Sequence, residues 1–185
     1  GQDLVQPFPA DKSANYKDLI PEAQDPQGPA IFFQVVGLTY NPEKIKTPPT
    51  SWKDLWKPEF KGRVGITTLN STLGTGWLVE VAKMFGGSES NVEPGFKAIN
   101  ELKPNLAAVA ANPGALATLF QQGQIDISPG NFNAIQLLKA RGVPVEFVAP
   151  KEGAIAFKTS IHVVKNSPNR DLAVALIEAA MSPEV

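Results

Sequence analysis

Apolar residues recur along the chain with two different spacings. Alternating or continuous apolar runs predict strands, and apolar residues three or four positions apart predict helices. The first thirty residues hold no such spacing and are rich in proline, which predicts extended chain and loops with a short turn near 16–19. The apolar run from Ala30 to Thr39, rich in β-branched and aromatic residues and bordered by prolines, predicts a strand. A second long apolar segment, at about 154–164, predicts another strand.

Between these two segments, strand and helix patterns follow each other regularly. Strands are predicted at 63–68, 106–110, 125–128 and 145–148. Helices are predicted at 52–56, from the 69–76 turn to Gly86, and at 92–102, 112–122, 131–140 and 171–181. This alternation indicates an α/β lobe with a central, mostly parallel sheet flanked by helices.

Composition excludes several classes of function. The 17 basic and 18 acidic side chains leave no positive excess for binding nucleic acid. Cysteine is absent, which removes thiolate nucleophiles and zinc–thiolate sites. The single histidine, His162, falls in an alternating run that is typical of a strand, and no paired carboxylates stand in a catalytic arrangement. We therefore predict no catalytic residue, no metal and no cofactor.

The strongest candidate for ligand binding is the hydroxyl-rich loop between the 63–68 strand and the following helix. Thr68, Asn70, Ser71 and Thr72 lie where backbone N–H groups and the positive end of a helix dipole are exposed. Such a loop suits a phosphate, phosphonate, sulfate or carboxylate group. The alternative is that Asn70, Ser71 or Thr72 only caps its own helix, as residues of these types commonly do.

Two further segments carry weaker candidates. Asn131 and Phe132 follow a predicted strand at its carboxyl end, where ligands gather in open α/β sheets, although a capped turn with a core phenylalanine explains them as well. Phe157, Lys158 and Thr159 lie in the 154–164 segment. The lysine there would neutralise an anion or simply face solvent.

Several motifs together resemble a known family. They are the segment 37–42 (Gly-Leu-Thr-Tyr-Asn-Pro), the segment 49–62 containing Ser-Trp-Lys-Asp-Leu-Trp, the segment 148–153 (Val-Ala-Pro-Lys-Glu-Gly) and the turn 166–170. In this order they are similar to the signature of family-1 extracellular solute-binding proteins, the periplasmic receptors of ABC importers. The resemblance runs from about Val36 onward.

The resemblance implies a two-lobed, hinge-closing type II periplasmic-binding-protein fold. Residues 1–40 would be a remnant of the first lobe and the first hinge strand, 41–150 the second α/β lobe, and 151–185 the second hinge strand and a return helix. Most of the first lobe would then precede Gly1, and more chain would follow Val185. The expected location is the periplasm, or the cell surface as a lipoprotein in a Gram-positive host, with the signal peptide outside this sequence.

The implied function is non-enzymatic: capture of a small solute in an interlobe cleft and its delivery to the membrane permease. Polyamine receptors of the family carry carboxylates in the loop where this chain has Asn70-Ser71-Thr72. Ferric-ion receptors carry adjacent tyrosines near Gly130-Asn131-Phe132. These departures favour an anionic or zwitterionic solute, with 157–159 on the hinge side. Two alternatives stay open: a ligand-sensing effector domain of a transcription regulator, and an α/β enzyme acting on a phosphorylated substrate.

Overall fold

The computed structural model describes residues 3–183, and contacts divide the chain into two compact units. The first unit comprises the residues up to Gln34 together with those from Phe157 onward, and the second is Val35–Ala156. The strands are β1 (Val5–Gln6), β2 (Ala30–Tyr40), β3 (Val64–Thr67), β4 (Leu106–Ala110), β5 (Ile127–Asn131), β6 (Glu146–Val148), β7 (Ile155–Ser160) and β8 (Val163–Val164). The helices are α1 (Thr72–Met84), α2 (Glu93–Leu102), α3 (Pro113–Gln121), α4 (Phe132–Ala140) and α5 (Arg170–Ala180).

The predicted alternation of strands and helices is confirmed, with two differences in detail. Strand β5 continues to Asn131 instead of ending at Ser128, so helix α4 starts directly from the strand. The single strand predicted over 154–164 is wrong, since β7 and β8 are separated at Ile161 and His162. There the Ile161 N–H donates to Pro29 O at 3.0 Å and His162 Nδ1 lies 3.0 Å from Gln27 O, contacts that divert the chain.

The main sheet has the strand order β4-β3-β5-β2-β6, with β7 also paired to β2. Strand β3 is parallel to β4 and β5, whereas β2 is antiparallel to both β5 and β6. Strands β5 and β6 are therefore parallel to each other. The strands linked by crossover helices share one direction, as expected for βαβ units, and β2 is the exception because no such unit contains it.

The register of β2 on β5 is marked by one buried polar pair. Thr39 stands opposite Ser128, both side chains are fully buried, and their hydroxyl oxygens lie 2.8 Å apart. Around this part of the sheet, α3 and α4 bury an apolar cluster. It consists of Ala110, Leu116, Phe120, Ile125, Ile135, Leu138 and Val145.

The first unit has a separate core. Strands β1 and β8 form a two-stranded antiparallel ladder in which Val5 pairs with Val164. Phe8, Val163, Ile177 and Met181 are buried together beside this ladder and α5. Within residues 3–183, none of the helices has both the length and the apolar composition that a bilayer crossing requires.

The Ser-Trp-Lys-Asp-Leu-Trp segment forms a short 3₁₀ helix, Trp52–Trp56, whose start is bonded to the 150–153 turn. The Ser51 hydroxyl donates to Glu152 Oε1 at 2.5 Å, and the Trp52 N–H donates to the other carboxylate oxygen at 3.2 Å. The indole of Trp52 is fully buried and donates to Gly153 O at 3.1 Å. The motif therefore joins two loops that are far apart in the sequence.

Two carboxylates, those of Asp54 and Glu152, stabilise this junction when they are ionised. Burial acts to raise the pKa of Asp54, but the Thr50 N–H, the Lys57 side chain and the Ser51 N–H outweigh burial and hold that pKa below its ordinary value. Burial likewise acts to raise the pKa of Glu152. The bonds from Ser51 and Trp52 to its carboxylate outweigh burial and keep that pKa low.

A carboxyl group whose pKa is depressed on folding stabilises the fold above its unfolded pKa, and this contribution is lost as pH falls through the folded value. We therefore expect the free energy of unfolding to decrease below about pH 4. Asp54→Asn and Glu152→Gln should each flatten this decrease, and Asp54→Asn should also cost about 1 kcal/mol at neutral pH because it weakens the cap. Urea denaturation across this pH range measures both effects.

The matched control is Glu22→Gln, since Glu22 is exposed and belongs to the other unit. It should keep the pH profile of the parent protein. If the free energy of unfolding falls as steeply with decreasing pH in Asp54→Asn and Glu152→Gln as in the parent protein, these two carboxylates do not stabilise the fold through the junction.

Candidate functional site

The loop between β3 and α1 is held from both sides. The Thr68 N–H donates to Ala110 O of the neighbouring strand at 2.8 Å, and the Ser71 N–H donates to Thr68 O at 3.1 Å. The Ser71 hydroxyl accepts from the Gly74 N–H at 3.0 Å and donates to Thr68 O at 2.8 Å. Ser71 therefore caps α1, which was the alternative for this loop, and its hydroxyl proton is already used.

A close approach fixes the first turn of α1 against the loop. A Cβ atom on Gly74 would lie 2.1 Å from the carbonyl oxygen of Thr68, which no side chain tolerates. The Thr75 hydroxyl adds a bond to Leu69 O at 2.8 Å. The loop is thus a rigid part of the helix start.

The remaining polar groups of the loop point outward. The side chains of Asn70 and Thr72 are exposed, whereas the hydroxyl of Thr68 donates to Ala111 O at 3.2 Å. In the part of the chain that the structure describes, the backbone N–H groups of Thr72 and Leu73 have no hydrogen-bond acceptor. These donors at the positive end of α1 are suited to an anionic group.

The second candidate segment lies where β5 passes into α4. Asn131 is the last residue of β5 and precedes α4 without capping it through its side chain. Its Oδ1 atom is buried and has no partner among residues 3–183. The next residue, Phe132, is 41% exposed, so a large part of its ring faces solvent.

Beside the second segment lies a small cavity of about 10 Å³, which is close to the space that one water molecule occupies. Leu73 of α1, Pro113 of α3 and Asn131 before α4 all line it. The starts of three helices therefore converge at the carboxyl ends of β3, β4 and β5. Of the predicted site residues, Asn131 lines this cavity, whereas the 68–72 loop and Phe132 do not. The 68–72 and 131–132 segments follow β3 and β5, which are neighbouring parallel strands, so both belong to the same edge of the sheet. The start of α3, where the sequence predicts only a capped helix, belongs to this edge as well.

The residues at this edge carry no charged side chain. The residues that directly follow β3, β4 and β5, at 68–72, 111–113 and 131–133, include no carboxylate. The Arg63–Asp126 ion pair, at 2.7 Å, precedes β3 and β5, and Glu146, which pairs with Lys139, starts β6. Because these strands are parallel, both ion pairs belong to the opposite edge of the sheet.

The third candidate segment belongs to the other compact unit. Phe157 and Thr159 are half-buried on β7, and Lys158 is exposed. The Lys158 ammonium lies 3.7 Å from the Asp25 carboxylate, which partly neutralises its charge. His162 contacts a backbone carbonyl, and residues 3–183 contain no cluster of three acidic or histidine side chains suited to a metal ion.

Comparison with known proteins identifies the family. The family described as bacterial extracellular solute-binding protein matches residues 1–185, so the chain belongs to it. The spermidine/putrescine-binding periplasmic protein of Salmonella typhimurium is 28% identical over 200 residues, covering 98% of this chain and 54% of that protein. The gamma-aminobutyric acid-binding protein of Pseudomonas aeruginosa is 27% identical over 172 residues, covering 85% and 46%. The chain spans about half the length of these curated relatives.

Solved structures agree on the fold. An ABC transporter structure from Clostridium perfringens superposes with a TM-score of 0.81 at 29% identity, covering 98% of this chain and 59% of that chain. AfuA from Actinobacillus pleuropneumoniae, with fructose-6-phosphate bound, superposes with a TM-score of 0.79 at 24% identity, covering 98% and 58%. The resemblance found in the sequence and the fold class are confirmed. The family consists of binding proteins, which favours neither the enzyme nor the regulatory alternative.

The contact between Gly74 and Thr68 gives a direct test of the site's rigidity. Gly74→Ala should destabilise the protein by about 1–3 kcal/mol, because the added methyl group collides with a backbone carbonyl that cannot rotate away. Gly114→Ala is the matched control, since Gly114 also lies in the first turn of a helix and its nearest contact is the side chain of Asn112 at 3.2 Å. Urea unfolding measures the free energy of unfolding of the two variants. Equal values would contradict the close approach of Gly74 to the carbonyl of Thr68.

Proposed function

We propose that this protein is the substrate-binding component of an ABC importer and that it captures a small anionic or zwitterionic solute outside the cytoplasmic membrane. The observation that carries the proposal is the convergence of three helix starts, with unpartnered polar groups, at a strand edge that carries no carboxylate. Solute capture needs no covalent chemistry. The loaded protein would then deliver its solute to the membrane permease.

The polar groups at this edge have complementary preferences. The N–H groups of Thr72 and Leu73 and the Thr72 hydroxyl can donate to a carboxylate or phosphate. The unpartnered Oδ1 of Asn131 can only accept, and because it is buried beside a cavity of about 10 Å³, it would reach a donor group of the same solute through one water molecule. The exposed ring of Phe132 offers an apolar surface for the carbon skeleton.

The names of two similar proteins support a zwitterionic or anionic solute. One relative is named for gamma-aminobutyric acid, a zwitterion, and one structural neighbour holds fructose-6-phosphate, an anion. Other relatives are named for spermidine and putrescine, which are cations. Binding of a polyamine requires carboxylates to pair with its ammonium groups, and the residues following β3, β4 and β5 provide none.

Isothermal titration of the full-length protein with γ-aminobutyrate, fructose 6-phosphate, putrescine and spermidine tests the proposal. We expect binding of an anionic or zwitterionic member of this panel. Thr72→Val should weaken that binding up to about tenfold, because it removes one hydrogen bond to a charged group while keeping the side-chain shape. Phe132→Ala should weaken it by a similar factor through lost contact area.

Thr118→Val is the matched control, because Thr118 is an exposed threonine on α3 that bonds only within its own helix. It should leave the affinity unchanged. Binding of putrescine or spermidine alone would overturn the proposed solute class while leaving the receptor function in place. If an anion binds and neither Thr72→Val nor Phe132→Ala changes its affinity, the binding site is not at this edge of the sheet.

A further inference from the structure

We propose that Phe147 is a positioning residue that fixes the ring of Phe132 against the solute, and that Gly37 is glycine because it makes room for Phe147. This inference rests on the proposed function and deepens it, since it identifies what determines the shape of the apolar wall of that site. All three residues belong to the second unit. Sequence reasoning singled out Phe132 alone.

The ring of Phe132 is supported from one side. Its centroid lies 5.2 Å from that of Phe147, and the two ring planes meet at 78°, which is the favourable edge-to-face geometry of aromatic pairs. Phe132 is the first residue of α4 and is 41% exposed, so the rest of its surface is available to a ligand. Phe147 is partly buried against the apolar cluster under α4.

The Phe147 ring in turn depends on the absence of a side chain at Gly37. Phe147 stands opposite Thr39 on β2, one step along the same face from Gly37. A Cβ atom on Gly37 would lie 2.5 Å from Phe147 Cζ and 2.6 Å from Val148 O. Gly37 itself pairs with Gly130 of β5, so two glycines stand opposite each other on the face where the Phe147 ring lies.

This arrangement orders the Phe132 ring before the solute arrives. A free aromatic side chain at an exposed helix start would lose rotational freedom on binding, and immobilising such a side chain weakens affinity by about three- to tenfold. A preordered ring face also suits one kind of solute best. It favours an extended carbon skeleton with an ammonium group, which the face of an aromatic ring attracts, at the end opposite the anionic group.

The orientation of the ring can be measured without any solute. We would record carbon–proton spectra of the full-length protein with ring-labelled phenylalanine and assign the Phe132 signal by its loss in Phe132→Leu. Phe147→Leu and Gly37→Ala perturb the Phe147 ring from different directions, and both should shift the Phe132 signal. Phe96→Leu is the control, because Phe96 is also 41% exposed but lies on α2. A Phe132 signal unchanged in both variants would overturn the inference.

A double-mutant cycle then tests the effect on binding. With γ-aminobutyrate or fructose 6-phosphate as the probe, Phe147→Leu should weaken affinity about three- to tenfold in the parent protein and not at all in Phe132→Leu. Phe96→Leu should leave affinity unchanged. Equal losses in the two backgrounds would show that Phe147 acts by another route and would overturn the positioning role.

The ring spectra and the double-mutant cycle together distinguish failure of this inference from failure of the proposed function. If neither probe binds the parent protein, the proposed solute class fails, while the ring signals still decide whether Phe147 orients Phe132. If a probe binds but the ring signal and the cycle do not respond, the proposed function stands and the positioning role is wrong. Urea midpoints of all variants exclude loss of folding as the cause.

Discussion

The antiparallel entry of β2 between β5 and β6 is the constraint on which the rest of the second unit depends. Its register is specified by the buried hydroxyl pair of Thr39 and Ser128. A slip of one residue would place Thr39 opposite Pro129 or Ile127 and leave buried hydroxyls without partners, at a cost of about 1–3 kcal/mol for each. It would also turn every side chain of β2 to the other face of the sheet. The pairing of β2 with β6 sets Gly37 beside the Phe147 ring and so leaves space for it on the sheet.

The candidate site follows from that sheet. Its polar groups lie at strand ends and helix starts, and most of them are already engaged in holding the loops: Ser71 caps α1, and Thr68 binds the chain after β4. What is left for a solute is therefore a small set of groups on rigid backbone, principally the first N–H groups of α1 and the ring of Phe132. A site of this kind binds by preorganisation, since few of its groups need to be ordered when the solute arrives.

The sequence alone predicted the strand–helix alternation, because apolar periodicity and capping residues such as Asn112 before Pro113 act locally. It also placed both candidate segments after strands, and β3 and β5 are indeed neighbouring parallel strands. It did not predict the antiparallel direction of β2 or the break at Ile161, because both depend on bonds to distant residues. The sequence left open whether Ser71 caps α1, and it did not predict the contact between Phe147 and Phe132, for the same reason. The sequence does not reveal whether a hydroxyl is already hydrogen-bonded within the protein or whether an aromatic ring is already packed against another.

The bonding of the Ser51–Trp56 segment has a consequence for how relatives of this protein are recognised. The Ser51 hydroxyl bonds to Glu152, the Trp52 indole N–H to a backbone carbonyl, and the Asp54 carboxylate to backbone N–H groups and the Lys57 side chain. None of these groups is left over to meet a cargo molecule. The motif therefore stabilises the fold and carries no information about a ligand. Two proteins that share it can differ completely in cargo, and a ligand assignment passed between them on this motif alone has no physical basis.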